Sequence, residues 1–387
     1  MSELVIVAAR RTPFGRFLGK LASQSAADLA VAAGEAVLAD AGRAGFDRRR
    51  VDQVILGNVL SAGLGMNVSR QVAVRLKLPL ETTAYTVNMM CGSGLKSIQL
   101  AATAIRSGEA EVVLCGGTES MSQAPYLVPK ARTGVKYGDG VMVDSILRDG
   151  LLDPGSNQHM GQTAEALAKR YSISRGEQDE FAARSQERAT AAIASGRLSS
   201  EVVPVADLDR DEHPRADATA AKLAGLKPAF DPQGSVTAGN ASGINDGAAV
   251  VLLADAELAS REGWAVLARF GACTSIGCEP EWMGLGPVHA LRRLMAYTRT
   301  NLDLFDAVEI NEAFAAQTLA CLRELDLPAE RVNVCGGAIA LGHPLGASGA
   351  RLVVHLAQEI AQGRAQRAAA ALCIGGGMGI AATLSAF

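Results

Sequence analysis

Two stretches of the sequence share one order of features. Residues 88–117 read NMMCGSGLKSIQLAATAIRSGEAEVVLCGG, and residues 343–377 read HPLGASGARLVVHLAQEIAQGRAQRAAAALCIGGG. In each, small residues precede a helical run, and an apolar strand then leads to a Cys and a Gly cluster. The helical runs have the same glycine spacing, Gly94 to Gly108 and Gly349 to Gly363. The repeat predicts two similar halves about a pseudo-twofold axis, with the starts of the two helices close together.

Apolar runs typical of buried strands recur along the chain and alternate with helical patterns, which predicts an α/β fold. The runs are residues 4–9, 53–57, 112–115, 248–254, 307–310 and 369–374. Residues 122–243 break this alternation, because Pro and Gly are frequent there and one helical stretch covers 163–193. We expect an N-terminal half (1–121 plus 244–265), an inserted loop domain (122–243) and a C-terminal half (266–387).

Composition and charge exclude several classes of function. A net charge of -3 over 387 residues gives no field that attracts nucleic acid. No apolar run is long enough to span a membrane, and the N-terminus lacks a signal peptide, so we expect a cytoplasmic protein. The cysteines show neither a secreted disulfide framework nor metal-ligand spacing. Nucleotide-binding glycine motifs are missing too, so we expect no metal and no permanently bound cofactor.

Cys91 lies in the NMMCGSG turn of residues 88–94, where glycines allow a sharp change from strand to helix. Free amides at the start of a helix point back toward such a sulfur, which predicts a lowered thiol pKa. A thiolate here would attack a thioester readily, because one sulfur attacks and another leaves. The alternative is a small buried Cys with a packing role. The Gly-rich turn favours the nucleophile.

His343 lies in the Gly-rich loop of residues 336–349, just before a helical run, and Pro344 fixes the turn behind it. An imidazole in such a loop can take a proton from a thiol or donate a hydrogen bond to a thioester oxygen. The alternative is a surface or capping His. Loops carry function more often than core elements do, which favours the catalytic interpretation.

Cys373 ends an apolar strand and precedes the glycine cluster that contains Gly375. A second thiol is a candidate acid and base, because forming a carbon–carbon bond from a thioester requires removal of a proton next to the carbonyl. The backbone amides of Cys91 and Gly375 could stabilise the resulting oxyanion. A buried strand Cys beside a packing turn explains this segment equally well.

Two further polar residues have open interpretations. Asn311 follows the strand at 307–310 and could cap the next helix or hold a water beside His343. His159 follows a Pro-Gly loop and could contact a ligand or merely cover the inserted domain.

Taken together, the motifs resemble the thiolase family over essentially the whole chain. They are residues 88–94, 116–122, 159–161, 236–246, 311–314, 336–349 and 373–377. The resemblance implies a thiolase-like fold, with two pseudo-repeated αβαβα halves and an inserted loop domain. It also implies a ping-pong reaction of acyl-CoA, with coenzyme A as substrate or product.

The resemblance assigns a role to each catalytic candidate. Cys91 is similar to the acylated nucleophile, His343 to the residue that activates it, and Cys373 to the base for the second acetyl-CoA. Asn311 resembles the residue whose bound water joins His343 at a thioester oxygen. Gly375 resembles an oxyanion-hole donor beside Cys91. The substrate and CoA contacts that the resemblance implies are His159, Met160, Ser242, Met283, Arg215, Leu151, Phe230 and Phe314.

The expected activity is that of an acetyl-CoA C-acetyltransferase, because Met160 and Met283 match the positions that keep the acyl pocket shallow in such thiolases. The segment 129–138 resembles a tetramer-forming loop, so we expect a homo-oligomer, a tetramer or a dimer. The sequence departs from the family pattern at Met89, Met90 and Cys335. Alternatives are a longer-chain 3-ketoacyl-CoA thiolase, a catalytically inactive thioester-binding module and a decarboxylating condensing enzyme.

Overall fold

All six apolar runs form strands of one sheet in the computed structural model, which describes residues 3–387. The strands are β1 Leu4–Arg11, β2 Gly15–Arg16, β3 Gln53–Gly57, β4 Thr83–Val87, β5 Val112–Ser120, β6 Tyr126–Leu127, β7 Val143–Asp144, β8 Asn245–Asp255, β9 Ala268–Gly277, β10 Ala307–Ile310, β11 Arg367–Ile374 and β12 Met378–Ser385. The sheet has ten strands in the order β10-β11-β12-β9-β1-β8-β5-β3-β4, with β2 beside β8. The sequence pattern does not predict β4, β9 and β12, whose runs are short, polar or interrupted by Gly.

The helices are α1 Ala26–Arg43, α2 Val68–Arg75, α3 Ser93–Arg106, α4 Met160–Arg170, α5 Arg175–Ala194, α6 Ala220–Ala224, α7 Ala256–Glu262, α8 Gly286–Thr298, α9 Ala315–Leu325, α10 Ala338–Leu341 and α11 Leu345–Ala361. The single helical stretch predicted over 163–193 is wrong. It is two helices, because Ser174 and Glu177 form a capping box that starts α5 anew. Among residues 3–387, no helix is both long and apolar enough to cross a membrane.

Alternate residues of each strand face different helical layers. On β5, Val113 faces a central layer with α3 and α11, whereas Leu114 faces an outer layer with α1 and α2. On β11, Leu372 faces the same central layer, and Ala371 faces a second outer layer with α8 and α9. The two ends of the sheet therefore enclose α3 and α11, which gives five layers in the order αβαβα.

The central helices α3 and α11 are the repeated pair, and they touch at their first turns. A Cβ on Gly94 would lie 2.7 Å from the Gly346 carbonyl oxygen, and one on Gly349 would lie 2.6 Å from the Leu95 amide nitrogen. Only glycine allows backbones to approach this closely. The prediction that the repeat brings the two helix starts together is therefore confirmed.

The repeat also fixes where both helices end. Gly108 and Gly363 follow the last turns of α3 and α11 with φ of +77° and +71°, in the left-handed region that Gly adopts without cost. Each glycine turns the chain into the strand that carries the next motif, β5 in one half and β11 in the other.

The segment 122–243 contributes no strand to the large sheet, and β6 and β7 pair only with each other. A buried ion cluster ties this segment to β1. The Arg11 guanidinium bonds Glu201 at 2.7 Å and Asp211 at 2.6 Å, and all three side chains are almost fully buried. The predicted domain boundaries are compatible with this arrangement and stay predictions.

We expect Gly349→Ala to lower the free energy of unfolding by about 1–3 kcal/mol, because overpacking a close backbone contact costs this much. Urea denaturation measures the change. Gly42→Ala is the matched control, since Gly42 lies in α1 with nothing within 4 Å of its added Cβ. That variant should be neutral or slightly more stable, because Ala favours helix. Wild-type stability of Gly349→Ala would contradict the close contact.

Candidate active site

The turn before α3 holds Cys91 in a constrained conformation. Met90, directly before it, has φ +49°, in the left-handed region that side-chain-bearing residues adopt at a cost. The Ser93 hydroxyl accepts a hydrogen bond from the Met89 amide at 2.8 Å and donates one to the Met90 carbonyl at 2.6 Å. These bonds close the turn and place Cys91 two residues before the start of α3.

The loop before α11 is held by Asn245 of β8. Gly342 has φ +108°, and a Cβ on it would lie 2.7 Å from the Asn245 side chain. The Asn245 amide oxygen accepts a hydrogen bond from the His343 backbone amide at 2.9 Å, and its nitrogen donates to the Gly15 carbonyl at 2.9 Å. A strand of the N-terminal half therefore fixes the backbone of His343.

Ser348 fixes the tautomer of His343. His343 Nδ1 lies 2.6 Å from Ser348 Oγ, and the Ser348 hydroxyl donates its only proton to the Pro344 carbonyl at 2.8 Å. The hydroxyl must therefore accept from Nδ1–H, which leaves Nε2 without a proton in the neutral ring. Nε2 is buried and has no hydrogen-bond partner within the described part of the chain. Burial lowers the pKa of His343 to about 4, and the charge of Arg351 acts in the same direction, so the ring is uncharged at neutral pH.

Cys373 lies one residue before the end of β11 and is buried. Gly376 and Gly377, with φ of +84° and +83°, turn the chain into β12. Gly375 and Cys91 line the same cavity, and the Gly375 backbone amide lowers the pKa of the Cys91 thiol, so the two cysteine segments meet. Burial raises the pKa of Cys373 well above its usual value, and the thiolate charge of Cys91 would raise it further.

One cavity of about 360 Å³ brings together all the predicted site residues except Asn311. Those that line it are Cys91, His343, Cys373, Gly375, His159, Met160, Ser242, Met283, Arg215, Leu151, Phe230 and Phe314. The lining therefore combines three parts of the repeated halves with residues of the inserted segment. These parts are the C-terminal end of β11 and the turns before α3 and α11. The catalytic and binding roles of these residues stay predictions.

Asn311 lies outside the cavity lining, directly after β10, and is fully buried. The interpretation of Asn311 as a helix cap is wrong, because α9 starts only at Ala315 and no side chain caps that end. Neither polar atom of its side-chain amide has a partner among residues 3–387. Buried amides are normally hydrogen-bonded, so Asn311 is suited to a polar ligand group.

Part of the cavity wall is apolar and aromatic. The rings of His159 and Phe230 stack with centroids 4.7 Å apart, and Phe314 meets Phe230 edge-on at 6.0 Å. Met160 and Met283 are buried in the same cluster as Cys373. An apolar wall of this kind removes water from the thiols and accepts a short acyl chain.

The Cys91 thiol has a raised pKa, which contradicts the lowered pKa predicted from sequence. Burial raises the pKa of Cys91 to about 11, whereas hydrogen bonds from the amides of Gly375 and Cys91 itself lower it by less. The charge of Glu119 raises it again. Desolvation outweighs the helix start because walls from several segments surround the sulfur.

Sequence reasoning missed several polar residues of the site. His213 lines the cavity, and its Nδ1 lies 3.4 Å from the Asn245 amide nitrogen. Burial lowers the pKa of His213 to about 4, and the charges of Arg215 and Arg16 add to the shift. Ser348 had a usable signal, since it matches Ser93 in the repeat and both hydroxyls brace the turn that carries a catalytic candidate.

Cys335, His355 and Glu359 form the one group of three potential metal ligands in the described part of the chain. Arg197 and Arg364 already bind the Glu359 carboxylate, and His355 Nδ1 lies 2.9 Å from Glu201. The charges in this group are balanced by side chains, so it is a buried ion network rather than an open cation site.

Comparisons with known proteins agree over the full length of the chain. Models of the thiolase N-terminal and C-terminal domains match residues 4–257 and 264–386. An acetyl-CoA acetyltransferase of Pseudomonas aeruginosa is 50% identical over 394 aligned residues, covering 100% of both proteins. The structure of the Bacillus anthracis acetyl-CoA acetyltransferase matches with a TM-score of 0.96 and 43% identity, covering 100% of this chain and 99% of that one. Human mitochondrial 3-ketoacyl-CoA thiolase in complex with CoA also matches with a TM-score of 0.96 and 43% identity, covering 100% and 98%.

The rate at which iodoacetamide alkylates Cys91 should still be rising with pH at about pH 9.5. A thiol with a raised pKa is mostly protonated below that pH, and only the thiolate reacts. The rate is followed by peptide mass spectrometry, with glutathione as a reference thiol and Cys91→Ser to identify the adduct. A rate that reaches its plateau below about pH 8.5, the ordinary thiol range, would contradict the raised pKa.

Proposed function

The chain belongs to the thiolase family, and we propose that it is an acetyl-CoA C-acetyltransferase, an acyltransferase that condenses two acetyl-CoA to acetoacetyl-CoA and CoA. The observation that carries this proposal is the single cavity in which Cys91, His343 and Cys373 meet. The 50% identity to a full-length acetyl-CoA acetyltransferase supports the substrate. The fold agrees with the predicted thiolase-like α/β architecture.

In the first half-reaction, Nε2 of neutral His343 takes the Cys91 proton while the sulfur attacks the acetyl-CoA carbonyl. The amides of Cys91 and Gly375 stabilise the oxyanion. The carbon–sulfur bond to CoA then breaks, and His343 returns the proton to the leaving CoA thiolate. The step ends with an acetyl group on Cys91 and a neutral imidazole, which the low pKa of His343 favours.

In the second half-reaction, His343 takes the proton of Cys373, and the new thiolate removes a proton from the methyl carbon of a second acetyl-CoA. The imidazolium and a water held by Asn311 stabilise the enolate oxygen. The enolate carbon attacks the acetyl group, and Cys91 leaves as a thiolate that takes its proton from His343. Both thiols and the imidazole are then in their starting forms.

Coenzyme A is a product of the condensation and a substrate of the reverse reaction. No permanently bound cofactor is required. The match to a thiolase structure in complex with CoA supports a CoA site in the same cavity. We assign pantetheine and nucleotide contacts to Leu151, Arg215, Phe230 and Ser242, which line its inserted-segment side. Arg215 offers the cationic group that a CoA phosphate requires.

The active form is proposed to be a homo-oligomer. Strand β4 is an edge strand of the large sheet, and nearby apolar side chains such as Leu80 and Tyr85 are exposed. Unpaired edges with exposed apolar groups favour pairing with a second copy. The segment 129–138 also carries exposed Val135 and Tyr137, which suits a further contact between dimers.

Cys91→Ser should abolish acetyl transfer, whereas Cys373→Ser should keep the acetyl adduct on residue 91 and lose condensation, because nucleophile and base act in separate steps. Mass spectrometry after mixing with acetyl-CoA measures the adduct, and coupled spectrophotometry measures acetoacetyl-CoA. Equal loss of the adduct in both variants would refute the assigned roles. Absence of an adduct in the wild type would favour a binding module instead.

A substrate panel separates the two thiolase activities. Thiolysis of acetoacetyl-CoA should be faster than thiolysis of 3-ketoacyl-CoA substrates of medium chain length, because Met160 and Met283 close the apolar end of the cavity. The readout is kcat/KM for each substrate under the same conditions. A clear preference for the longer substrate would overturn the proposal and favour a 3-ketoacyl-CoA thiolase, which the human structural match also allows.

A further inference from the structure

Glu119 is a buried carboxylate at the boundary between the two halves, and the mechanism above gives it no role. It lies near the end of β5 and is fully buried. Four N–H groups donate to it: Asn58 Nδ2 at 2.8 Å and Leu60 N at 3.0 Å to Oε1, Val59 N at 3.0 Å and Gly346 N at 2.9 Å to Oε2. All four partners are donors, which suits an ionised carboxylate.

These donors come from separate parts of the site. Asn58, Val59 and Leu60 form the loop after β3, whose Val59 carbonyl accepts a hydrogen bond from Asn88 of the nucleophile turn at 3.4 Å. Gly346 is the second residue of α11 and lies three residues after His343. One carboxylate therefore connects the Cys91 side of the cavity to the His343 side.

Glu119 also serves as the missing cap of α11. Pro344 is the N-cap residue of this helix, and its own side chain makes no capping hydrogen bond. The first amides of a helix need acceptors and carry a partial positive charge, so an anion there is stabilising. A Cβ on Gly346 would lie 2.5 Å from the Thr118 carbonyl oxygen, so only glycine brings this amide within reach of Glu119.

The charge of Glu119 acts on the nucleophile as well. Burial raises the pKa of Glu119 to about 7, the three backbone amides lower it, and the neighbouring Asp246 raises it. Glu119 in turn raises the pKa of Cys91. The charge of Glu119 therefore acts on the Cys91 sulfur, while its hydrogen bond to Gly346 holds the first turn of the helix that follows His343.

We propose that Glu119 is a positioning residue: it fixes the first turn of the His343 helix against the Cys91 half, and its charge adds to the electrostatic potential at the Cys91 sulfur. The proposal deepens the acyl-transfer function and rests on it for the role of His343. It predicts that hydrogen-bond geometry and charge can be separated by two substitutions.

Glu119→Gln removes the charge and two of the four acceptor contacts, whereas Glu119→Asp keeps the charge but is too short to keep all four bonds. We expect Glu119→Gln to shift the pH profile of Cys91 alkylation by iodoacetamide to lower pH, because a nearby negative charge is lost. Glu119→Asp should keep the wild-type profile. Both variants should form the acetyl-Cys91 adduct at least about tenfold more slowly, because His343 is displaced.

Asp246→Asn is the matched control, since Asp246 is a buried carboxylate whose bonds go to Ser122 N at 2.8 Å and Ser122 Oγ at 2.6 Å instead of to α11. It should leave the alkylation profile of Cys91 unchanged. All rates are divided by the folded fraction from circular dichroism. This correction removes effects of stability alone.

An unshifted alkylation profile in folded Glu119→Gln, or wild-type adduct formation in folded Glu119→Asp, would overturn the proposal. Loss of folding in both variants would also overturn it and make Glu119 a stability residue. Failure of the proposed function gives a different result, because the wild type would then form no acetyl adduct on Cys91. The pH profiles of alkylation of the wild type and the Glu119 variants could still be compared.

Discussion

The close approach of α3 and α11 is the constraint on which the site depends. Backbone packs against backbone at Gly94, Gly346 and Gly349, so the first turns of the two helices have a single relative position. Cys91 precedes one helix and His343 precedes the other. The separation of the proposed nucleophile and the proposed base is thus set by main-chain contacts, which vary less than side-chain rotamers do.

The cavity built at this contact changes the chemistry of its groups. Removal of water raises the pKa of both Cys91 and Cys373 and lowers that of His343, so the resting site holds neutral groups. In the proposed mechanism, a neutral imidazole accepts protons from neutral thiols, so the site does not have to stabilise a permanent thiolate. The amides of Cys91 and Gly375 would then act on the charge that develops during reaction, where preorganised donors contribute most.

Much of the fold and part of the site are readable in the sequence. Six strands of the large sheet, the repeated helices and the convergence of Cys91, His343 and Cys373 follow from local patterns, because each of these three residues lies beside a Gly-rich turn. Asn245 and the link made by Glu119 could not be identified in this way, since their partners are distant in the chain. The prediction of a lowered Cys91 pKa failed for the same reason, because desolvation depends on all the segments that form the cavity. The break between α4 and α5 was missed because its capping box lies inside a continuous helical pattern.

The site divides its tasks between two kinds of structure. The groups proposed to react lie at strand ends and helix starts of the repeated halves, whereas Leu151, His159, Phe230 and Ser242 come from the inserted segment. That segment is attached through the buried Arg11 cluster and through bonds of α5 to Glu312 and Val332, rather than through the large sheet. The Ser185 hydroxyl of α5 also accepts a hydrogen bond from the Gly337 amide at 3.0 Å, in the loop that leads to His343. The groups proposed to react and those proposed to select the substrate therefore lie on different elements, but the inserted segment supports both.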